Sequence, residues 1–336
     1  MHTEIPKAKE LEQKVFNIKN EKHLASIALE VYHFQFTNNP VYQDYCNAVG
    51  RTPLSVQKLI DIPFLPISFF KTHRIESTSF DPQLIFKSSG TTGSQSSIHY
   101  VKDAALYKKS FQWGFRKFYG NPADYCIIGL LPSYLDRGQS SLIYMVDCLV
   151  KENAHKASGF YLHEFERLNQ ALNQLETTGQ KTILIGVTYA LMEFAVQFPQ
   201  HLEHTIIMET GGMKGRMKEL TRFELYDQLK ASFGVLDIHS EYGMTELLSQ
   251  AYAINGVFKS PPWMKVLLRD ETDPFTLFDN SSKIISGAIN LIDLANIYSC
   301  SFIATEDMGK AHPDGGFEVL GRMDHADIRG CSLMLV

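Results

Sequence analysis

The sequence has few cysteines, no excess of basic residues and no long apolar run, and each shortage excludes a class of protein. Its five cysteines are scattered among 336 residues and never form a C-x-x-C pair. This indicates neither a disulfide framework nor a zinc knuckle. No apolar run approaches the roughly 18 residues needed to cross a bilayer, and the polar N-terminus lacks the apolar core of a signal peptide. We therefore expect a cytoplasmic protein with no membrane span.

The charge balance also argues against nucleic acid as a partner. The formal net charge is −5, and no basic cluster is interleaved with aromatic residues. Proteins that bind a phosphate backbone normally carry a basic stripe. With 44% hydrophobic and 21% charged residues, the composition is that of an ordinary globular protein.

The first part of the chain is predicted to be helical. Residues 8–48 carry apolar side chains at helical spacing and no glycine or proline before Pro40. The prolines within 61–71 interrupt any long helix, so we expect this segment to cross the surface before a short helix. Residues 1–80 are therefore predicted to form a helical N-terminal cap.

Residues 81–248 alternate short apolar runs with helical stretches, which favours an α/β sheet core. Strands are predicted at 83–87, 125–130, 181–186, 204–209 and 235–239. Helices are predicted at 103–118, 139–150, 164–177, 188–198 and 217–231. Residues 249–336 lack helical spacing, and their short runs at 263–268, 284–292, 299–304 and 317–320 predict a small, mainly β subdomain. We expect the three parts to form one integrated domain.

Two glycine-rich turns follow predicted strands. Residues 88–93 (SSGTTG) could point backbone N–H groups and hydroxyls at a phosphate, although such clusters are commonly solvated loops. They do not match the Walker pattern. Residues 209–216 (ETGGMKGR) have adjacent glycines that allow a flat ligand to approach, and Lys214 and Arg216 could face phosphates. The alternative for the second turn is a pair of solvated cations.

Two acidic motifs also follow predicted strands. Residues 240–246 (SEYGMTE) place a carboxylate beside hydroxyls where ligands bind in parallel sheets, and this suits Mg²⁺. Taken alone, Glu246 also fits an acid at a helix N-terminus. Residues 304–309 (ATEDMG), followed by 321–324 (GRMD), carry an aspartate that could bind ribose hydroxyls at a strand end. A simple hairpin turn is the alternative.

The order and spacing of these motifs, from about residue 60 to 330, resemble those of adenylate-forming enzymes: acyl-CoA synthetases, luciferases and peptide-synthetase adenylation domains. The segments ETGGMKGR and PFLPISFFKTHRI and the short chain are most similar to LuxE-type acyl-protein synthetases, which are long-chain-fatty-acid protein ligases. Phenylacetate-CoA ligases are the nearest alternative. The resemblance implies the N-terminal-domain fold of adenylate-forming enzymes, with an α/β sheet core, a helical cap and a small β subdomain.

The resemblance also implies ATP and Mg²⁺ as cofactors and gives each motif a role. The residues implied to bind the nucleotide are Ser89, Gly90, Thr91, Thr92, Gly93, Gly211, Gly212, Tyr242, Asp307 and Arg322. Residues 89–93 would hold the phosphates. Gly211 and Gly212 would border the adenine and acyl pockets, and Tyr242 would pack on adenine. The aspartate would bind ribose, and the arginine would reach ribose or phosphate. Thr245 would contact the α-phosphate, and Glu246 would hold Mg²⁺.

The sequence departs from the family pattern at two places. The usual lysine shortly after the SGTTG loop is replaced by a Ser-Gln-Ser-Ser run at 94–97. Only six residues follow Gly330, so the C-terminal domain that carries a catalytic lysine in most relatives is expected to be missing. Another cation would then stabilise the transition state, and Lys214 and Lys87 are the candidates.

Cys331 occupies the position at which LuxE-type ligases carry the acyl group. Without the resemblance, an isolated cysteine is more often a small buried apolar residue. Arg329 or His325 could raise its thiolate fraction. The resemblance thus implies that a fatty or other carboxylic acid is activated as an acyl adenylate and passed to this thiol, for collection by a reductase or carrier protein. Transfer to CoA and a non-catalytic nucleotide-binding protein are the alternatives.

Overall fold

The computed structural model describes residues 4–88, 95–131, 139–153, 155–162, 164–211, 221–278 and 282–323. The α-helices in these ranges are α1 (Glu4–Val15), α2 (Glu21–Asn38), α3 (Pro40–Ala48), α4 (Phe69–Thr72), α5 (Ala104–Tyr119), α6 (Ser141–Glu152), α7 (Phe165–Thr178), α8 (Thr188–Gln197) and α9 (Arg222–Phe233). The strands are β1 (Leu65–Pro66), β2 (Leu84–Lys87), β3 (Ile98–Val101), β4 (Cys126–Leu130), β5 (Gly159–Phe160), β6 (Thr182–Gly186), β7 (Thr205–Glu209), β8 (His239–Tyr242), β9 (Ala251–Ile254), β10 (Val257–Lys259), β11 (Met264–Arg269), β12 (Ile285–Asp293), β13 (Phe302–Ala311) and β14 (Phe317–Arg322).

The N-terminal helices form where the apolar spacing predicted them. Asn20 begins α2 by accepting a hydrogen bond from the backbone of His23, and Asn39 caps α3, whose first residue is proline. The buried amide of Gln35 in α2 donates to the carbonyls of Asn296 and Ile297. This contact fastens the helices onto the later strands. None of the described helices has the length and apolar character that a bilayer span requires.

One mixed sheet organises the described residues. Its strands lie in the order β11-β12-β13-β14-β10-β9-β8-β7-β6-β4-β5, and β1 pairs with β13. The five strands from β8 to β5 are parallel, whereas β9 and the strands beyond it pair in antiparallel fashion. The parallel strands therefore end at a common edge, which is where ligands bind in such sheets. The sheet continues without interruption past residue 248. The subdomain boundary expected there therefore stays a prediction.

Most predicted strands of the core are confirmed to within one residue, but the last of them was predicted too early in the chain. The predicted strand 235–239 is instead β8, His239–Tyr242. Leu236 is exposed, and the backbone N–H of Ile238 donates to the side chain of Asn255 rather than to a neighbouring strand. Consequently Glu241 and Tyr242 belong to the strand, and the turn begins only at Gly243.

The proline-containing segment 61–71 was predicted to cross the surface, and this prediction was wrong. Phe64 and Leu65 are buried, and Leu65 pairs with Ile303 of β13 in parallel register. Pro66 is tolerated because β1 is a two-residue strand at the margin of the sheet. The short helix predicted after it is α4, which brings Lys71 towards the sheet edge.

The TEDMG motif was predicted to lie at a strand end, but it lies within β13. Asp307 is directly opposite Arg322 of β14, and the register shifts between Met308 and Gly309. Such bulges re-aim side chains beside functional sites. The two motifs at 304–309 and 321–324 therefore meet through strand pairing rather than through a turn.

Candidate functional site

A cleft of about 440 Å³ lies at the edge where β7 and β8 end. Four residues that the sequence singled out line it together: Thr245, Glu246, Asp307 and Arg322. Lys87, a predicted cation, lines it as well. The motifs come together although they lie far apart in the chain, because β13 and β14 belong to the same sheet as β8.

Other predicted site residues do not line the cleft or cannot be placed. Ser89, Gly90, Thr91, Thr92, Gly93, Gly212, Lys214 and Cys331 lie outside the described residues, as do His325 and Arg329. Gly211 follows β7, beside Thr210 of the cleft wall, with φ +74°. This left-handed conformation suits glycine. The carboxylate of Glu209 accepts from the Gly211 N–H and from the Thr188 hydroxyl, and so holds the turn in place.

The backbone of the 243–246 turn is held by a buried histidine and a buried asparagine. Nδ1 of His99 donates to the carbonyl of Thr245 over 2.8 Å, and its Nε2 lies 3.1 Å from Oδ1 of Asn296. Nδ2 of Asn296 donates to the carbonyl of Glu246 over 2.8 Å. Burial lowers the pKa of His99 to about 4, and its hydrogen bonds to Thr245 and Asn296 act against that effect.

Asp293, at the end of β12, fixes the residues that follow the turn. Its carboxylate accepts from the backbone N–H groups of Leu248 and Ser249 over 2.7 and 3.0 Å, and from the Ser249 hydroxyl over 2.6 Å. Burial raises the pKa of this carboxyl, whereas these donors lower it. The turn that carries Thr245 and Glu246 is thus anchored at its own carbonyls and at the residues directly after it, as a preorganised site requires. The sequence analysis did not identify Asp293 or His99.

Asp307 is oriented by two neighbours. It accepts from the Tyr242 hydroxyl over 2.8 Å, and Nε of Arg322 lies 3.8 Å from its carboxylate. Burial raises the pKa of Asp307, and the tyrosine and the arginine lower it. The Tyr242 ring packs against Phe258 and Phe317, and its centroid lies 5.7 Å from the ring centroid of each. Tyr242 therefore positions the aspartate, and its predicted contact with adenine stays a prediction.

Lys71 adds a cation that the sequence analysis missed. It lines the cleft together with Lys87, and Lys71 and Arg322 both lower the pKa of Glu246 against the effect of burial. Its position in the sequence could have suggested this role, because Lys71 ends the apolar PFLPISFF run. A charged residue directly after the buried Phe70 lies close to the hydrophobic core. Lys71 and Lys87 are the lysines that line the cleft within the described part of the chain.

The oxygen atoms around Glu246 fit Mg²⁺. Only 5% of the Glu246 surface is exposed, and its side chain hydrogen-bonds that of Ser97. No cluster of three or more metal-ligating side chains occurs among the described residues. Mg²⁺ in nucleotide sites is typically held by one or two carboxylates together with substrate phosphates. Glu246 therefore suits an ion shared with a nucleotide.

Replacing Tyr242 with phenylalanine should weaken nucleotide binding because it removes one hydrogen bond from the largely buried Asp307. We expect the KM for ATP to rise about 10-fold, equivalent to about 1.4 kcal/mol, with a smaller change in kcat. Steady-state kinetics at varied ATP concentration measure this. The matched control is Tyr226→Phe, which removes the buried hydroxyl that contacts Ser240. An equal rise in KM in both variants would show that Tyr242 acts only through stability.

Comparison with known proteins agrees with this geometry. The family described as acyl-protein synthetase, LuxE, matches residues 8–336. ATP-bound MatB from Rhodopseudomonas palustris superposes with a TM-score of 0.51 at 16% identity, covering 86% of this chain and 61% of that chain. The ATP-bound RpMatB-BxBclM chimera B3 has a TM-score of 0.50 at 18% identity, covering 71% of this chain and 47% of that one.

The chain therefore spans about half to three fifths of the length of these two structures. A search of curated proteins finds no match. The structural likeness establishes the fold of the N-terminal domain of adenylate-forming enzymes, as the sequence motifs implied. Because the family match covers nearly all residues, the chain belongs to the LuxE acyl-protein synthetase family.

Proposed function

We propose that this protein activates a fatty or other carboxylic acid with ATP and transfers the acyl group to a cysteine thiol. The observation that carries the proposal is the meeting of Thr245, Glu246, Asp307 and Arg322 in one cleft. These residue types supply a hydroxyl that donates a hydrogen bond to phosphate, a carboxylate that binds magnesium, a carboxylate that accepts hydrogen bonds from ribose, and a cation. Family membership supports the same chemistry.

In the first half-reaction, a carboxylate oxygen of the acid attacks the α-phosphorus of ATP. A new P–O bond forms as the bond to pyrophosphate breaks, giving an acyl adenylate. The Thr245 hydroxyl donates to the α-phosphate, and Lys71, Lys87 and Arg322 offset the negative charge that develops. Mg²⁺ bound by Glu246 would neutralise charge on the phosphates.

In the second half-reaction, the Cys331 thiolate attacks the acyl carbonyl. The bond to AMP breaks, AMP leaves, and a thioester forms. A reductase or carrier protein would then receive the acyl group. We place this reaction in the reducing cytoplasm, where the free thiols of Cys46, Cys126, Cys148 and Cys300 would be stable.

The test is acid-dependent exchange of labelled pyrophosphate into ATP by the full chain. We expect exchange that requires both Mg²⁺ and a carboxylic acid, with acid-free protein as the control. Absence of exchange with every acid would refute adenylation. A second assay, which follows AMP release with and without CoA, tests the acceptor, because consumption of the adenylate by CoA would reassign the transfer step to an acyl-CoA ligase.

A further inference from the structure

Four residues form a polar floor: Tyr107, Glu241 and Gln250, which line the cleft, and Tyr252, which lines a small void beside it. Glu241 of β8 lies directly opposite Tyr252 of β9 in antiparallel register, so their side chains share one face of the sheet. Gln250 comes two residues before Tyr252 and extends from the same face. Tyr107, Glu241 and Gln250 line the cleft, with Tyr107 reaching it from α5.

Two of these side chains are buried with a polar atom that has no hydrogen-bond partner within the described residues. Gln250 is 5% exposed and its Oε1 is unpaired; Tyr252 is 3% exposed and its hydroxyl is unpaired. More than about 90% of buried polar groups in proteins are paired. An unpaired one destabilises the folded protein, so these groups fit a partner that the ligand brings.

The carboxyl group of Glu241 is in a similar position. The described part of the chain offers it neither an ion pair nor a hydrogen bond. Burial, followed by the charge of Glu209, raises its pKa to about 8. Burial, followed by the charge of Glu241, raises the pKa of Tyr107 and of Tyr252.

The polar floor contrasts with its surroundings. Just beneath it, a small void is lined mainly by apolar side chains, among them Phe115, Val146 and Met208. A plain alkyl chain needs only walls of this kind, and it would bury the unpaired acceptors against carbon. The amide oxygen of Gln250 only accepts hydrogen bonds, whereas the Tyr252 phenol and the protonated carboxyl of Glu241 both donate and accept them. A donor group on the ligand therefore complements Gln250 and can also bind Glu241 or Tyr252.

We propose that the acid activated in this cleft carries a hydrogen-bond-donating substituent, a hydroxyl or an ammonium group, that binds Gln250 and Glu241. This inference rests on the proposed function and names the substrate class of the same site. Sites built to hydrogen-bond a substrate group strongly reject analogues that lack it. We therefore expect kcat/KM to favour the substituted acid by about 10²-fold or more.

The experiment compares straight-chain acids of increasing length, each in unsubstituted, hydroxylated and aminated form, by pyrophosphate exchange with the full chain. Preference for a hydroxylated or aminated acid supports the inference and tells the two donors apart. Equal or better use of the unsubstituted acids overturns it but leaves adenylation standing. Absence of exchange with every acid overturns the proposed function, and the inference with it.

The Gln250→Leu variant distinguishes a substrate-binding role from a purely structural one, because only a substrate-binding role predicts a change in acid preference. We expect the preference for the substituted acid to fall about 10-fold or more, mainly through KM, because the acceptor is lost. The free energy of unfolding should fall less than in a variant that loses a fully paired glutamine, since the change removes the unpaired Oε1 together with one side-chain hydrogen bond to Tyr107.

The matched control is Gln35→Leu, the same change at a buried glutamine whose amide is fully engaged. It should lower stability without changing the acid preference. Unchanged preference in Gln250→Leu would contradict the inference. Calorimetric binding of the same acids to the wild-type protein decides the question if the variant does not fold, because tighter binding of the unsubstituted acid refutes it.

Discussion

Replacing Glu246 with glutamine is expected to slow acid-dependent pyrophosphate exchange by about 10²-fold or more. Glutamine keeps the size of the side chain and one acceptor oxygen but removes the charge that suits Mg²⁺. Losing only an outer partner of a metal site typically costs about 10- to 100-fold, so loss of a direct ligand should cost at least as much. The loss also leaves Lys71 and Arg322 without the carboxylate whose pKa they lower.

The measurement is the exchange rate as a function of Mg²⁺ concentration. We expect half-maximal activity of the Glu246→Gln variant to require more Mg²⁺ than the wild-type protein does. Glu271→Gln, which neutralises an exposed carboxylate outside the cleft, is the control for the loss of one charge. An unchanged Mg²⁺ requirement in Glu246→Gln would remove this residue from the proposed metal site.

The second large effect concerns Cys331. The Cys331→Ser variant should lose all hydroxylamine-labile labelling by radioactive acid, because a serine hydroxyl is a far weaker nucleophile at neutral pH than a thiol. Its pyrophosphate exchange should remain at the wild-type rate, since adenylation precedes the transfer. The measurement is label retained on denatured protein before and after hydroxylamine treatment.

The control is Cys148→Ser. Cys148 is a half-buried free thiol on α6, and burial raises its pKa, which makes it a poor nucleophile. We expect its replacement to leave the label intact. Label that persists in Cys331→Ser and disappears in Cys148→Ser would move the acyl carrier to α6 and refute the assignment.

Local patterns predicted much of the fold. Apolar runs followed by turn residues located β4, β6 and β7 to within a residue, and helical spacing located α2 and α5, because both signals depend on which face of a short segment is buried. The start of β8 was misplaced. Its apolar residues Val235 and Leu236 precede the strand, and the N–H of Ile238 is taken up by the side chain of Asn255, which lies in the following hairpin.

Part of the candidate site was also predictable. Thr245, Glu246, Asp307 and Arg322 stood out because their motifs combine glycine, hydroxyls and charge in a family-specific order. Lys71 and Asp293 did not stand out. A lone lysine after an apolar run and a lone aspartate at a strand end have many ordinary explanations, and only their neighbours in space give them a role.

By itself, the sequence determined the class of fold, the family motifs and the residue types available for adenylation, since these follow from local pattern and motif order. The tertiary structure alone decided which charges share the cleft, that Asp307 faces Arg322 across two strands, and that Oε1 of Gln250 and the Tyr252 hydroxyl are buried without a partner among the described residues. Burial, strand register and hydrogen bonding depend on residues that are distant in the chain, so no local pattern encodes them.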